Sequence, residues 1–282
     1  MALVSLAALC MALLFFLFKV FERRSVPVVP AIVVNYSVAA LCGALITQPW
    51  RSGIPSALLA PATGLGALFI ALFHLTALST QRAGIAATSV ASKMSLVVTV
   101  LFTVVLLGER PSAMGWAGIA LALVAVPVAS YARGNPGARR VWLLPVLLFL
   151  GNAAIDISLN LVQRELLEPG TEAVFPMIVF MVAGAIGLLV LIARGQLTAL
   201  RDPRALIGGL VLGVTNYASL YFIVAALARS GFGTSSVFPL MNIGVILFST
   251  LLGLLALREA LSKAQWAGIA MAVVAMALII GA

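Results

Sequence analysis

The chain has 282 residues, of which 63% are hydrophobic and only 9% are charged, and its net charge is +9. Soluble domains contain about 25% charged residues, so this composition excludes a soluble globular protein, which could not cover its surface with so few charges. The basic residues are dispersed between apolar runs instead of being clustered. That distribution argues against nucleic-acid binding and follows the loop pattern of membrane proteins.

Apolar runs of about 20 residues recur along the whole chain and predict an all-α integral membrane protein with about ten transmembrane helices. The first run is followed, not preceded, by basic residues (Lys19, Arg23 and Arg24), so we interpret it as a retained helix and not as a signal peptide. Charges, Pro and Gly delimit the spans, which we predict at 2–21, 28–47, 57–79, 83–107, 113–132, 141–163, 173–193, 204–228, 233–257 and 264–281.

An internal repeat is visible between "GERPSAMGWAGIALALVAV", from Gly108, and "LREALSKAQWAGIAMAVVAM", from Leu257. This similarity predicts two five-helix copies, residues 1–136 and 137–282, within one membrane domain. Because five is odd, the second copy enters the membrane upside down, an arrangement typical of secondary transporters with a central site near the midplane. Four pairs keep a constant offset of 150 positions: Glu109 and Glu259, Ser112 and Ser262, Trp116 and Trp266, Gly118 and Gly268.

These two copies, with "LLGER" preceding the first, resemble the EamA-type drug/metabolite transporter superfamily over essentially the whole chain. The resemblance implies a transporter fold, but not a particular substrate, since such proteins move amino acids, sugars, nucleotide-like metabolites, choline and drugs. Members often carry a proline early in the helix that ends at the glutamate. The first copy has "SKMS" there, whereas the second keeps Pro239, which we expect to kink the ninth helix.

Lys93 is the most informative residue, because it lies in the otherwise uncharged run "GIAATSVASKMSLVVTVLF". It falls roughly 15 Å along its predicted helix, near the middle of a ~30 Å hydrocarbon core. A lysine there costs about 2.5–3.5 kcal/mol on insertion scales. The functional interpretation is that Lys93 binds a carboxylate or another anionic group in a central cavity; the alternative is a structural ion pair.

The sixth predicted helix carries a polar stripe, since Asn152, Asp156 and Asn160 follow one another at intervals of four residues. We expect this stripe to face the bundle interior. Asp156 then has several possible roles: it pairs with Lys93, binds a substrate ammonium, or carries a coupling proton. The alternative for the whole stripe is a hydrogen-bond network that fixes helix packing.

Other polar residues within predicted spans complete the candidate site. His74, the only histidine, is either a proton shuttle or a neutral ring that donates to a carbonyl. The remaining candidates either line the substrate site or form interhelical hydrogen bonds. They are Asn35, Asn216, Tyr217, Tyr221 and Asn242.

Two arguments about orientation disagree. Alternate loops put an excess of basic residues on the side that holds Lys19, Arg23 and Arg24, and the positive-inside rule then places both termini outside. The superfamily resemblance implies termini inside for many members. We follow the loop charges for a multi-pass protein of the inner (plasma) membrane.

The sequence thus predicts a secondary transporter that moves an amino-acid-like zwitterion or an organic anion by alternating access, with protons through Asp156 or His74 as one source of energy. The alternative is an accessory subunit or a lipid-intermediate flippase of the same superfamily. No enzymatic constellation, cofactor motif or metal-ligand cluster is recognisable, and Glu109 and Glu259 are interpreted as capping or loop-anchoring charges. The choice between monomer and homodimer stays open.

Overall fold

The computed structural model describes residues 1–107, 111–131, 142–166, 174–229 and 234–281. Within these ranges the chain forms α-helices, short 3-10 turns and no strand, so the predicted all-α class is confirmed. The helices are α1 Ala2–Arg23, α2 Val28–Thr47, α3 Pro49–Ser52, α4 Leu59–Ala83, α5 Ile85–Met94, α6 Leu96–Leu107, α7 Ala113–Ala129, α8 Leu143–Glu165, α9 Val174–Ala193, α10 Pro203–Arg229, α11 Thr234–Leu255 and α12 Lys263–Ile280.

Nine segments of the described chain are long and apolar enough to cross a membrane, and α7 is a shorter apolar helix. The bounds agree with the predicted spans to within a few residues, apart from one difference of substance. The span predicted at 83–107 is divided into α5 and α6 at Ser95. The hydroxyl of Ser95 donates to the carbonyl of Ser92 at 2.8 Å, and such back-bonding by serine competes with the backbone ladder and bends helices.

Two compact units make up the chain. The first contains residues 1–19, 75–153 and 218–282, and the second contains residues 20–74 and 154–217. Neither unit corresponds to one sequence copy, because each includes segments of both copies. The predicted boundary between the copies, at residues 136 and 137, lies outside the described residues and stays a prediction.

The core of the first unit is built where α5, α7, α11 and α12 pack together. Small residues bring α7 and α12 close: a Cβ atom on Gly118 would lie 2.9 Å from the carbonyl oxygen of Ala275, and one on Gly268 would lie 2.4 Å from the backbone nitrogen of Ala129. The start of each helix therefore lies against the end of the other, so α7 and α12 are antiparallel.

Both helices of this pair begin in the same way. The side chain of Ser112 accepts a hydrogen bond from the Gly115 N–H at the start of α7. At the start of α12, Ser262 accepts from the Gln265 N–H, and the Gln265 side chain accepts from the Ser262 N–H, which completes a capping box. The serines that the sequence repeat aligns are thus both N-caps.

In the second unit, α2 packs against α9. A Cβ atom on Gly43 would lie 3.0 Å from Met177, near the start of α9, while one on Gly187 would lie 2.8 Å from Val33, near the start of α2. These helices are therefore antiparallel too. Tyr36, which is fully buried, donates its hydroxyl proton to the carbonyl of Phe69 at 3.0 Å and holds the first part of α4 against α2.

Candidate functional site

Lys93 is the penultimate residue of α5, two residues before the interruption at Ser95. Its side chain is partly buried, whereas its neighbours Ser92 and Met94 are buried. Among the contacts of Lys93, the ammonium nitrogen Nζ lies 3.5 Å from the thioether sulfur of Met11, on α1. A thioether is a weak acceptor, and Lys93 takes part in at least one other interaction besides this contact.

Asn152 joins α8 to α5 beside Lys93. Its Nδ2 donates to the Leu148 carbonyl at 2.8 Å, one turn earlier on α8, and to the hydroxyl of Ser92 at 3.3 Å. The first unit therefore places Asn152 against Ser92, the residue that precedes Lys93 near the end of α5. Sequence reasoning missed Met11, because a methionine in an apolar helix is unremarkable, and it did not identify Ser92 as the partner of Asn152.

A second polar pair lies in the second unit. The Asn216 side chain, on α10, donates to Oδ1 of Asn35 on α2 at 3.3 Å, and Asn35 is fully buried. The helices approach closely here, because a Cβ atom on Gly213 would lie 2.7 Å from the Asn35 carbonyl oxygen. The Nδ2 of Asn35 has no hydrogen-bond partner among the described residues. This pair matches the packing interpretation of Asn35 and Asn216 at least as well as a role in substrate binding.

The other predicted residues lie on four helices. On α8, Asp156 and Asn160 are partly exposed, and His74 on α4 is exposed. On α10, Tyr217 is partly exposed and Tyr221 is 51% exposed, with its ring 5.6 Å from that of Phe222. On α11, Asn242 is buried, and the helix runs without interruption through the buried Pro239. The helix that contains "SKMS" is thus divided at Ser95. By contrast, α11, which contains Pro239, is continuous.

Glu259 is a cap, as the sequence predicts. Its carboxylate accepts a hydrogen bond from the backbone N–H of Ile85 at 3.3 Å, at the start of α5. Glu109, to which the same role is assigned, lies outside the described residues. No group of three or more His, Cys, Asp or Glu side chains that could hold a metal ion occurs in the described part of the chain.

Comparison with known proteins gives the fold a precedent. No family model matches the chain. An uncharacterised protein from Haemophilus influenzae is 25% identical over 277 residues, which cover 93% of this chain and 92% of that protein. A protein of known crystal structure superposes with a TM-score of 0.61 at 18% identity, covering 98% of this chain and 95% of its own. Similarity at that level concerns the fold alone.

Proposed function

We propose that this chain is a secondary transporter of the EamA type, which moves an amino-acid-like zwitterion or an organic anion across the inner membrane by alternating access. The observation that carries the proposal is Lys93, a charged and partly exposed side chain in a membrane-spanning segment. The loop charges place both termini outside in this proposal, and Asp156 or His74 carries protons if transport is proton-coupled.

The packing of equivalent helices supports an inverted repeat. The pair α7 and α12, which the sequence repeat aligns, is antiparallel, and so is the pair α2 and α9, the second helix of each copy. Helices with the same place in two copies run in opposite directions only if one copy is inverted with respect to the other. Inverted repeats are the usual architecture of secondary transporters.

The environment of Lys93 supports an anion site. Because insertion of a lysine at this depth costs about 2.5–3.5 kcal/mol, it is retained where the ammonium meets water, a counter-charge or a ligand. Exposure of the ammonium to lipid alone would not offset the free-energy cost of inserting the lysine. A solute carboxylate that contacts Nζ would form a charge-assisted hydrogen bond, which is stronger than the thioether contact with Met11.

Reconstitution of the purified chain in liposomes tests the proposal directly. We expect uptake of one or more soluble amino acids or carboxylates, and we expect Lys93→Ala to lower that uptake at least about tenfold, since a charge-assisted hydrogen bond contributes on the order of 1.5–3 kcal/mol. Lys263→Ala is a matched control, because Lys263 is an exposed lysine at the start of α12. Equal uptake by the Lys93→Ala and Lys263→Ala variants would rule out the anion-binding role of Lys93.

The same vesicles also test the alternative function, that of a lipid-intermediate flippase or an accessory subunit. A lipid-intermediate flippase would move a fluorescent lipid between leaflets and leave soluble solutes outside, and an accessory subunit would move neither without its partner. Movement of soluble solutes by the isolated chain supports the transporter.

A further inference from the structure

The orientation of the Asn152 side-chain amide is determined by its surroundings. One of its terminal atoms lies 2.8 Å from the carbonyl oxygen of Leu148, and a carbonyl oxygen can only accept a hydrogen bond. If the amide were rotated by 180°, two acceptors would face each other at that distance. The nitrogen must therefore be the atom near Leu148.

In this orientation both amide hydrogens of Asn152 donate hydrogen bonds, and the amide oxygen Oδ1 remains as an acceptor. A primary amide has two N–H donors, and in Asn152 they serve the Leu148 carbonyl and the Ser92 hydroxyl. The Oδ1 atom has no hydrogen-bond partner among the described residues, and it is not one of the buried atoms that lack a partner. Since Asn152 is partly exposed, this oxygen is accessible to a donor from outside the protein.

A free amide oxygen within a membrane span needs a donor. Unsatisfied polar groups cost several kcal/mol in hydrocarbon, so Oδ1 must be met by water or by an N–H or O–H group of a solute. Lys93 follows Ser92 directly and offers donors only. Lys93 near the end of α5 thus provides a positive donor group and Asn152 on α8 a neutral acceptor, and the hydrogen bond from Asn152 to Ser92 places Asn152 against the residue that precedes Lys93.

We propose that Asn152 determines specificity by accepting a hydrogen bond from an ammonium or another N–H group of a solute whose carboxylate binds Lys93. This inference rests on the proposed transport function and deepens it, because it favours amino acids over plain carboxylates. A carboxylate without the N–H group satisfies Lys93 but leaves Oδ1 to water. Sites that hydrogen-bond a substrate N–H discriminate strongly against analogues that lack it.

The experiment compares pairs of solutes that differ only in the amino group: glutamate with glutarate, leucine with 4-methylpentanoate, and serine with 3-hydroxypropionate. Uptake is measured in proteoliposomes at neutral pH. The wild-type chain should prefer the amino member of each transported pair by about tenfold or more, the range of a hydrogen bond to a charged group. In Asn152→Leu this preference should fall to about twofold or less, because the side chain can no longer accept a hydrogen bond from the amino group.

Ser158→Ala serves as the control on the same helix, because position 158 lies six residues further along α8 and about 240° around it from Asn152. This variant should keep the wild-type preference. Asn152→Thr, a smaller polar replacement, provides a second test if Asn152→Leu does not fold, and it should also lower the preference.

The outcomes separate this inference from the function on which it rests. Transport without a wild-type preference for amino solutes, or with a preference that Asn152→Leu and Asn152→Thr leave unchanged, overturns the role of Asn152 and leaves the transporter standing. If the wild-type chain moves no solute at all, including the amino acids and carboxylates tested with Lys93→Ala, both the transporter and the role of Asn152 are overturned.

Discussion

Glu259 and Ile85 are 174 positions apart in the chain, yet the carboxylate of Glu259 accepts the first backbone N–H of α5 at 3.3 Å. The residue before the helix is Gly84, which has no side chain to serve as a cap. The loop that leads into α12 therefore supplies the missing cap for α5. The negative charge is also favourable at this end of the helix dipole.

Replacement of this carboxylate should destabilise the first unit. Glu259→Gln keeps an acceptor but removes the charge, so we expect a loss of about 0.5–1 kcal/mol, and Glu259→Ala should lose more because the N–H is left without its cap. Thermal unfolding in detergent measures the difference. Glu165→Gln removes an exposed carboxylate at the end of α8 and should not lower the unfolding temperature. Equal unfolding temperatures of the Glu259→Gln and Glu165→Gln variants would contradict the capping role of Glu259.

The close contact between α7 and α12 predicts a strong effect at Gly268. A methyl group there would lie 2.4 Å from the nitrogen and 2.5 Å from the Cα atom of Ala129, and backbone atoms cannot rotate away. Gly268→Ala should therefore cost about 1–3 kcal/mol of stability. Gly64→Ala in α4, where no atom lies within 4 Å, should instead be neutral or stabilising by up to about 1 kcal/mol, since alanine is the better helix former.

The end of α1 predicts a stabilising substitution. Ser25 has a φ of 50°, and the Val26 and Ser25 N–H groups donate to the carbonyls of Phe21 and Glu22, which is the hydrogen-bond pattern of a Schellman motif. The left-handed conformation costs a non-glycine residue about 1–2 kcal/mol, partly offset by the flexibility of glycine in the unfolded chain. Ser25→Gly should raise stability by about 0.5 kcal/mol, whereas Ser158→Gly inside α8 should lower it. A lower unfolding temperature for Ser25→Gly would contradict the motif.

Asp202 predicts a pH dependence outside the membrane. Hydrogen bonds from the Arg204 side chain, at 3.2 and 3.0 Å, and from its backbone N–H, at 2.8 Å, lower the pKa of Asp202 below its ordinary value of 3.8. Because the folded pKa is depressed, the unfolded chain binds more protons, and the stabilisation is present above pH 3.8 and lost as the pH falls through the folded value. Asp202→Asn should lower the unfolding temperature at pH 7, and the difference from wild type should shrink below pH 3.8. If the difference in unfolding temperature between wild type and Asp202→Asn does not change with pH, the titration of Asp202 is not its cause.

If transport is proton-coupled as proposed, separate substitutions at Asp156 and His74 identify the residue that carries the proton. If Asp156 carries the proton, uptake by Asp156→Asn should no longer respond to a pH gradient, while exchange of solute across the membrane continues. If His74 carries it, His74→Gln should show the same loss. Uptake that follows the gradient in both variants would show that neither residue is the proton carrier.

Much of the fold was accessible from the sequence for a simple reason. The bilayer requires about 20 apolar residues per helix, so composition and spacing set the class and the approximate bounds of the spans. The repeat is also readable because Glu, Ser, Trp and Gly recur together at one offset. The interpretation of Glu259 as a capping or loop-anchoring charge agrees with its hydrogen bond from the Ile85 N–H, a partner that only the structure identifies.

The candidate site was predictable only in part. Lys93 and Asn152 are conspicuous because a charge or an amide in an apolar helix is costly and therefore informative. Met11 and Ser92 carry no such signal, since thioethers and hydroxyls are common in membrane helices. The interruption at Ser95 was missed as well, because it occurs without proline or glycine.

The sequence by itself determined that this is a membrane protein and where its helices lie approximately, because hydrophobicity and periodicity are properties of the linear chain. Only the tertiary structure decided which side chains meet: that α7 lies antiparallel to α12, that a loop carboxylate caps α5, and that the Asn152 amide is held with its oxygen free. Those contacts depend on distances between segments far apart in the chain, which packing sets and composition does not record.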